Sequence, residues 1–134
     1  MEAGESYDFV IIGAGTAGCL LADRLSADGR HRVLLLEAGG RDRSPWIHIP
    51  VGYGRLFDDP RTNWRYESEP EPELNGRRLY QPRGKVLGGT SSINGLLYTR
   101  GPRGDFDQWR RLGNIGWGYD DVLPAFKRLE DHFL

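Results

Sequence analysis

One cysteine, Cys19, is all the thiol the sequence contains, so no intrachain disulfide framework holds it together. That fits a reducing compartment, and a cytoplasmic protein is expected. Long apolar runs are missing as well. No stretch approaches the roughly 20 residues that cross a bilayer, and membrane association is not indicated. The first residues, Met1–Tyr7, are short and polar, without the basic region, apolar stretch and cleavage site of a secretory signal. Charge of one sign is also lacking. Lys and Arg total 18 against 19 Asp and Glu, a net charge of −1, which gives no broad attraction for nucleic acid or anionic lipid. His31, His48 and His132 have no Cys, His or Asp partners at ligand spacing. No metal site is expected, and these histidines are expected on the surface or in loops.

Glycine is plentiful. The chain has 19, about twice the ~7% of average usage, and they cluster at Gly13–Gly18, Gly39–Gly40, Gly84–Gly89 and Gly113–Gly118. Clustered glycine marks tight turns and places where backbone must approach something closely.

The pattern along the chain opens with an apolar run, Phe9–Ile12, that reads as a strand buried on both faces. From Thr16 the spacing becomes helical, with Ala17, Leu20, Leu21 and Leu25 on one apolar face, and Asp28–Gly29 closes the helix. Cys19 reads as a small packed side chain. Arg32–Glu37 is a second buried strand, so the opening is a parallel βαβ unit. Residues 38–82 carry Pro, Gly and charge with little periodicity. This segment is expected to wrap a larger body or cover a site, anchored by Trp46, Tyr53, Phe57, Trp64 and Tyr66, with Glu67–Glu73 as a solvated acidic loop. A Gly/Ser-rich turn then leads into the apolar stretch Ile93–Tyr98. Asp105 is expected to cap a short helix with Phe106, Trp109 and Leu112 on one face. A last helix is expected over Asp120–Asp131 with Val122, Phe126 and Leu129 inward. Two strands are too few for a doubly wound sheet, so the chain reads as part of a domain.

Gly13-Ala14-Gly15-Thr16-Ala17-Gly18 is a GxGxxG motif between the first strand and the helix. Gly13 permits the tight turn, Gly15 lets a pyrophosphate come close to backbone, and Gly18 lets helix and strand pack. Free N–H groups and the positive end of the helix dipole suit an anion. Glu37, at the end of the second strand, stands where a carboxylate accepts hydrogen bonds from ribose hydroxyls. An acid there argues against a 2′-phosphate. The motif alone leaves NAD and FAD both open. Farther on, Gly84-Lys85-Val86-Leu87-Gly88-Gly89-Thr90-Ser91-Ser92-Ile93-Asn94-Gly95 combines bare backbone with hydroxyls and an amide, and such a segment could lie along a planar polar ring system.

That second block resembles the first signature of the glucose–methanol–choline (GMC) oxidoreductase family, and the resemblance extends over most of the chain. VIIGAGTAGCLLADRLS with LLLEAGG is similar to the family's N-terminal FAD motif. Asn63-Trp64, Tyr98-Thr99-Arg100-Gly101, Asp105-Phe106-Asp107-Gln108-Trp109, and Gly116-Trp117-Gly118-Tyr119 with Asp121-Val122-Leu123-Pro124 continue it. The choline dehydrogenase-like branch is the most similar.

The resemblance implies an α/β fold, the N-terminal part of a Rossmann-like FAD-binding domain, with residues 1–134 a fragment of that domain and the substrate and catalytic domain absent. It implies that Gly13, Ala14, Gly15, Thr16, Ala17 and Gly18 hold the FAD pyrophosphate and that Glu37 and Ala38 meet the adenosine ribose. Val86, Gly88, Gly89 and Thr90 would lie beside the flavin or pyrophosphate, and Asn94, Gly95, Leu96 and Leu97 would line the isoalloxazine. Some members attach the flavin covalently through a His before the matching Asn. Ile93 stands there in this chain, so non-covalent FAD is expected. The implied activity is oxidation of a small-molecule alcohol to an aldehyde or ketone by hydride transfer to FAD, as part of a longer chain. The family's catalytic His matches no residue in this sequence, so no catalytic residue is assigned and the fragment itself is expected to be inactive. A non-catalytic nucleotide-binding or interaction module derived from the same family is the alternative.

Overall fold

The computed structural model describes residues 5–130. The chain divides after Leu96 into two compact units. In the first, β1 (Phe9–Ile12), α1 (Thr16–Ser26) and β2 (Val33–Leu36) form the expected βαβ unit. The strands pair in parallel with Phe9 opposite Val33 and Ile12 opposite Leu36. The β-branched and leucine-rich runs favour strand. Gly13 ends β1 in the left-handed region, at φ +99°, and Gly29, at φ +70°, terminates the helical segment.

Three expectations about this unit need correction. Both strands were expected to be buried on both faces. Among the described residues the parallel sheet has two strands only, and Val10 and Ile12 are exposed, Ile12 at 86%. Side chains alternate along a strand. The Ile11 face meets α1 at Gly18, while the Val10 and Ile12 face has no cover among the described residues. The helix also turns a different face inward. Gly18, Ala22 and Leu25 are the shielded positions, and Ala17, Leu20 and Leu21 are exposed. Gly18 is the point of closest approach: a Cβ there would collide with the Gly13 carbonyl oxygen. A residue without a side chain leaves no mark in an apolar pattern, which is why the pattern misled. Cys19 is exposed rather than packed, because it lies one position past Gly18; its Sγ reaches the Ala14 carbonyl oxygen at 3.4 Å.

The long middle segment has more structure than its composition suggests. It holds two one-turn helices, α2 (Pro45–His48) and α3 (Tyr53–Leu56), linked by a 3₁₀ turn at Pro50–Gly52. An antiparallel ribbon follows, β3 (Tyr66–Glu67) with β4 (Tyr80–Gln81), and carries the acidic residues on its exposed far end. The chain then returns. Asn63 pairs antiparallel with Gly84, and Val86 pairs parallel with Gly40. The second glycine block is thereby laid beside the end of β2. Leu56, Val86 and Ile93 are buried together, with Trp46 and Ile47 packed against them, each full burial worth about 1.5–3 kcal/mol. The core of this unit thus lies under the glycine segment.

The second unit is a helical pair, α4 (Arg103–Arg111) and α5 (Tyr119–Leu129). Phe106 is its buried centre, with the rings of Trp109, Tyr119 and Phe126 around it at 5.2, 6.0 and 5.8 Å. Asp105 does not cap α4. Pro102 occupies the cap with extended backbone and Asp105 falls in the first turn, where it still favours the helix dipole. Leu112 and Leu129, expected to face inward, are exposed, since two helices alone shield only the side between them. Asp107 Oδ1 accepts from Tyr119 N at 3.1 Å and Asp121 Oδ2 from Gly118 N at 3.0 Å, so carboxylates satisfy the free N–H groups at the start of α5. Asp131 and His132 lie outside the described residues. Among the described residues no helix is long and apolar enough to cross a membrane.

Candidate nucleotide-binding site

The loop between β1 and α1 and the second glycine block meet backbone to backbone. Gly88 N donates to the Ala14 carbonyl at 2.8 Å, and Leu87 N to that of Gly40 at 2.9 Å. A Cβ on Gly89 would stand 2.8 Å from Gly15 Cα, and Gly88 and Gly89 both have positive φ, +93° and +60°. Only glycine permits this approach without strain. The sequence gives each block separately; the fold makes them one wall.

Glu37 fixes the wall from the other side. Its Oε2 accepts from Ala14 N at 2.8 Å and its Oε1 from Gly39 N at 2.8 Å. The Ala14 peptide is therefore held by Glu37 at its N–H and by Gly88 at its carbonyl, and Ala14 is fully buried. The carboxylate keeps further lone pairs for a ligand.

A cavity of about 590 Å³ opens here, lined by Gly13, Gly15, Glu37, Ala38, Gly89 and Thr90 together with Ile12, Leu36, Trp64, Tyr66, Arg83 and Gly84. Its size falls within the range of small-molecule and cofactor sites. Six expected site residues are thus on one cavity. Six others on it were not assigned a place there from the sequence. Trp64 and Tyr66 stack with ring centroids 5.8 Å apart and planes 6° apart, and Lys85 Nζ lies 4.7 Å from the Trp64 ring centroid, within cation–π range. Arg83 also lines the cavity, and its Nη1 donates to the Pro82 carbonyl at 2.7 Å.

The remaining expected residues lie elsewhere. Ala14, Thr16, Ala17 and Gly18 build the loop and first helical turn without lining the cavity. Val86 sends its side chain into the core beside Ile93, and Gly88 supplies the turn. Thr90, which does line the cavity, accepts at Oγ1 from Gly84 N at 3.1 Å. Asn94 Oδ1 accepts from Leu96 N at 2.9 Å, Leu96 adopts φ +60°, and Gly95 follows Asn94 in the same turn. Leu97, 90% exposed, belongs to the second unit.

Asn63, next to Trp64, is buried and makes four side-chain hydrogen bonds. Its side-chain Oδ1 accepts from Arg65 N and Arg83 N, each at 2.9 Å. Its Nδ2 donates to the Phe57 carbonyl at 2.7 Å and to Tyr80 Oη at 3.2 Å. Trp64 N donates to the Arg83 carbonyl at 2.9 Å.

The donor set suits a dinucleotide. No atom lies within 4 Å of the place a Cβ would take on Gly13, so bare backbone faces open space at the start of the motif, and a carboxylate and aromatic rings stand within the same cavity. Among the described residues no cluster of His, Cys, Asp and Glu could hold a metal ion. His48 Nε2 lies 2.6 Å from the Asp42 carbonyl on the exposed surface, and His31 packs edge-on against Phe9.

A family model described as GMC oxidoreductase matches residues 7–133. The chain is 56% identical over 123 residues to an oxygen-dependent choline dehydrogenase of Rhizobium rhizogenes, covering 92% of this chain and 22% of that protein. It is similar to the crystal structure of pyridoxine 4-oxidase from Mesorbium loti, with TM-score 0.82, 39% identity, and 90% of this chain and 24% of that chain covered. It is also similar to an Aspergillus oryzae formate oxidase studied for FAD modification, with TM-score 0.80, 34% identity, and 92% and 22% covered. The chain therefore spans about a fifth of the length of the curated relatives it matches.

Proposed function

The chain belongs to the GMC oxidoreductase family, and on that basis we propose that residues 1–134 are the N-terminal part of the FAD-binding domain of an alcohol-oxidising enzyme. The observation that carries the reading is the convergence of Gly13, Gly15, Gly89, Thr90 and Glu37 on one cavity. A Gly-rich loop opening a helix binds pyrophosphate through free N–H groups and the helix dipole. Gly13 to Gly18 fill that role, and Glu37 with Ala38 the ribose side. Thr90, Asn94, Gly95 and Leu96 belong to the flavin side. Bound FAD supplies a hydride acceptor for the carbinol carbon of a small alcohol. This chain's residues bind and orient; none of them is assigned as the base.

The name shared by the curated relatives, choline dehydrogenase, makes a choline-like alcohol the first substrate to try. The cofactor is held without a covalent bond. Ile93 stands at the position from which some family members attach flavin, and its side chain is apolar and buried with Leu56 and Val86. Acid precipitation of the full-length enzyme tests this. Yellow flavin in the supernatant is expected, and flavin retained in the pellet would contradict it.

A further inference from the structure

Asn63 lies outside every role assigned so far. It is 2% exposed, it does not line the cavity, and its amide makes the full complement of four hydrogen bonds. We infer that Asn63 is a positioning residue that sets the aromatic wall of the cofactor cavity, acting through Trp64 and Tyr66 without touching the ligand. The inference rests on the FAD reading above.

The geometry runs as a chain of causes. Arg65 sits at φ +58°, a conformation that L-residues with long side chains rarely adopt. Asn63 Oδ1 grips the Arg65 N–H and compensates that strain locally, as Asx side chains do in turns. The turn at Arg65 brings Trp64 and Tyr66 into parallel stacking. The same oxygen holds Arg83 N, so the Trp64–Tyr66 arm and the Arg83–Gly84 arm are joined at one atom. The two Nδ2 bonds anchor that joint to Phe57, next to the buried Leu56, and to Tyr80 on β4. A stacked pair of rings on the cavity, with the Lys85 ammonium 4.7 Å from the Trp64 ring centroid, suits a planar ring of a dinucleotide. Of its four partners, Arg83 lines the cavity and Arg65 stands between Trp64 and Tyr66, which also line it; through those two bonds a buried amide aligns that wall.

The test uses the full-length protein, stripped of flavin and titrated with FAD. Asn63→Ala and Tyr80→Phe are each made in the wild-type and in the Trp64→Leu background. Two quantities are read: the FAD dissociation constant and the Trp64 contribution to near-ultraviolet circular dichroism, taken as the difference on Trp64→Leu. Asn63→Ala is expected to abolish the Trp64 signal and to weaken FAD about ten- to a hundredfold, as expected when buried partners are left unpaired. In the Trp64→Leu background it should weaken FAD little further, because neighbours acting as a unit are not additive. An intact Trp64 signal, or losses at Asn63 and Trp64 that simply multiply, would overturn the inference. If Asn63→Ala does not fold, the Tyr80→Phe cycle decides by the same coupling, since it removes the hydroxyl that Asn63 Nδ2 and the Phe57 carbonyl share, without opening a hole. If the wild-type apoprotein takes up no FAD, the cofactor reading fails, and the Trp64 signal alone still decides the role of Asn63.

Discussion

A single carboxylate, Glu37, ties the loop between β1 and α1 to the chain after β2. It receives Ala14 N and Gly39 N and borders the cavity. A hydrogen bond to a charged group is worth about 1.5–3 kcal/mol. Glu37→Ala should therefore weaken FAD roughly ten- to a hundredfold at 1.4 kcal/mol per decade, without altering the flavin's absorption maxima once bound. An unchanged dissociation constant would remove Glu37 from the site. Glu37 and the GxGxxG glycines were legible in the sequence because their meaning is local: strand, turn, helix and acid follow one another in order. Trp64 and Tyr66 were legible only as anchors of a segment that wraps a larger body or covers a site, and Arg83 only as the start of a Gly/Ser-rich turn. Their place on the cavity depends on Asn63 pairing with Gly84, a contact between distant positions that no local pattern encodes. Val86 shows the converse. It sits inside a recognisable motif, yet its side chain is buried in the core with Leu56 and Ile93.

Among the elements, the pairing of α4 and α5 carries a pH dependence. Arg103 donates twice to Asp120, at 2.8 Å each. Those bonds hold the Asp120 carboxyl below the usual carboxylate range. A depressed folded-state value adds stability above the ordinary range and loses it as pH falls through the folded-state value. The pair is exposed, so its contribution is small and screened. Thermal unfolding of the wild type and Asp120→Asn, followed from pH 6 down to about pH 2, should show the two midpoints converging as the pH falls. A constant gap would mean that the ion pair contributes nothing. Of the elements, β1 is found where its apolar run predicts it, and β2 and α5 lie within one or two residues of expectation, the usual uncertainty of element ends. The face of α1 was misread because its contact residue, Gly18, is invisible to hydrophobic periodicity. The cap of α4 was misread because Asp105 is a good capping residue, while Pro102, which cannot cap by side chain, holds the required extended backbone.

For the whole molecule, the exposed apolar residues set the expectation. Val10 and Ile12 on β1, Leu20 and Leu21 on α1, and Leu97, Ile115 and Trp117 in the second unit all face out. Uncovered strand faces and open edges promote association. The isolated 134-residue chain is expected to aggregate or to unfold without a cooperative transition, and a soluble monomer that melts in two-state fashion would refute this. The central claim is that the glycine-lined cavity holds FAD, and Gly15 tests it most directly. Its backbone is extended, at φ −85°, and a Cβ there would meet only Gly89 Cα, at an ordinary 3.9 Å. Gly15→Ala should therefore leave the fold intact while placing a methyl group where the pyrophosphate approaches backbone. The measurement is FAD titration of the full-length apoprotein, with thermal unfolding of the same apoprotein as the control. The account predicts an affinity loss of about tenfold or more with the unfolding midpoint unchanged. FAD binding equal to wild type in a folded Gly15→Ala protein would contradict it.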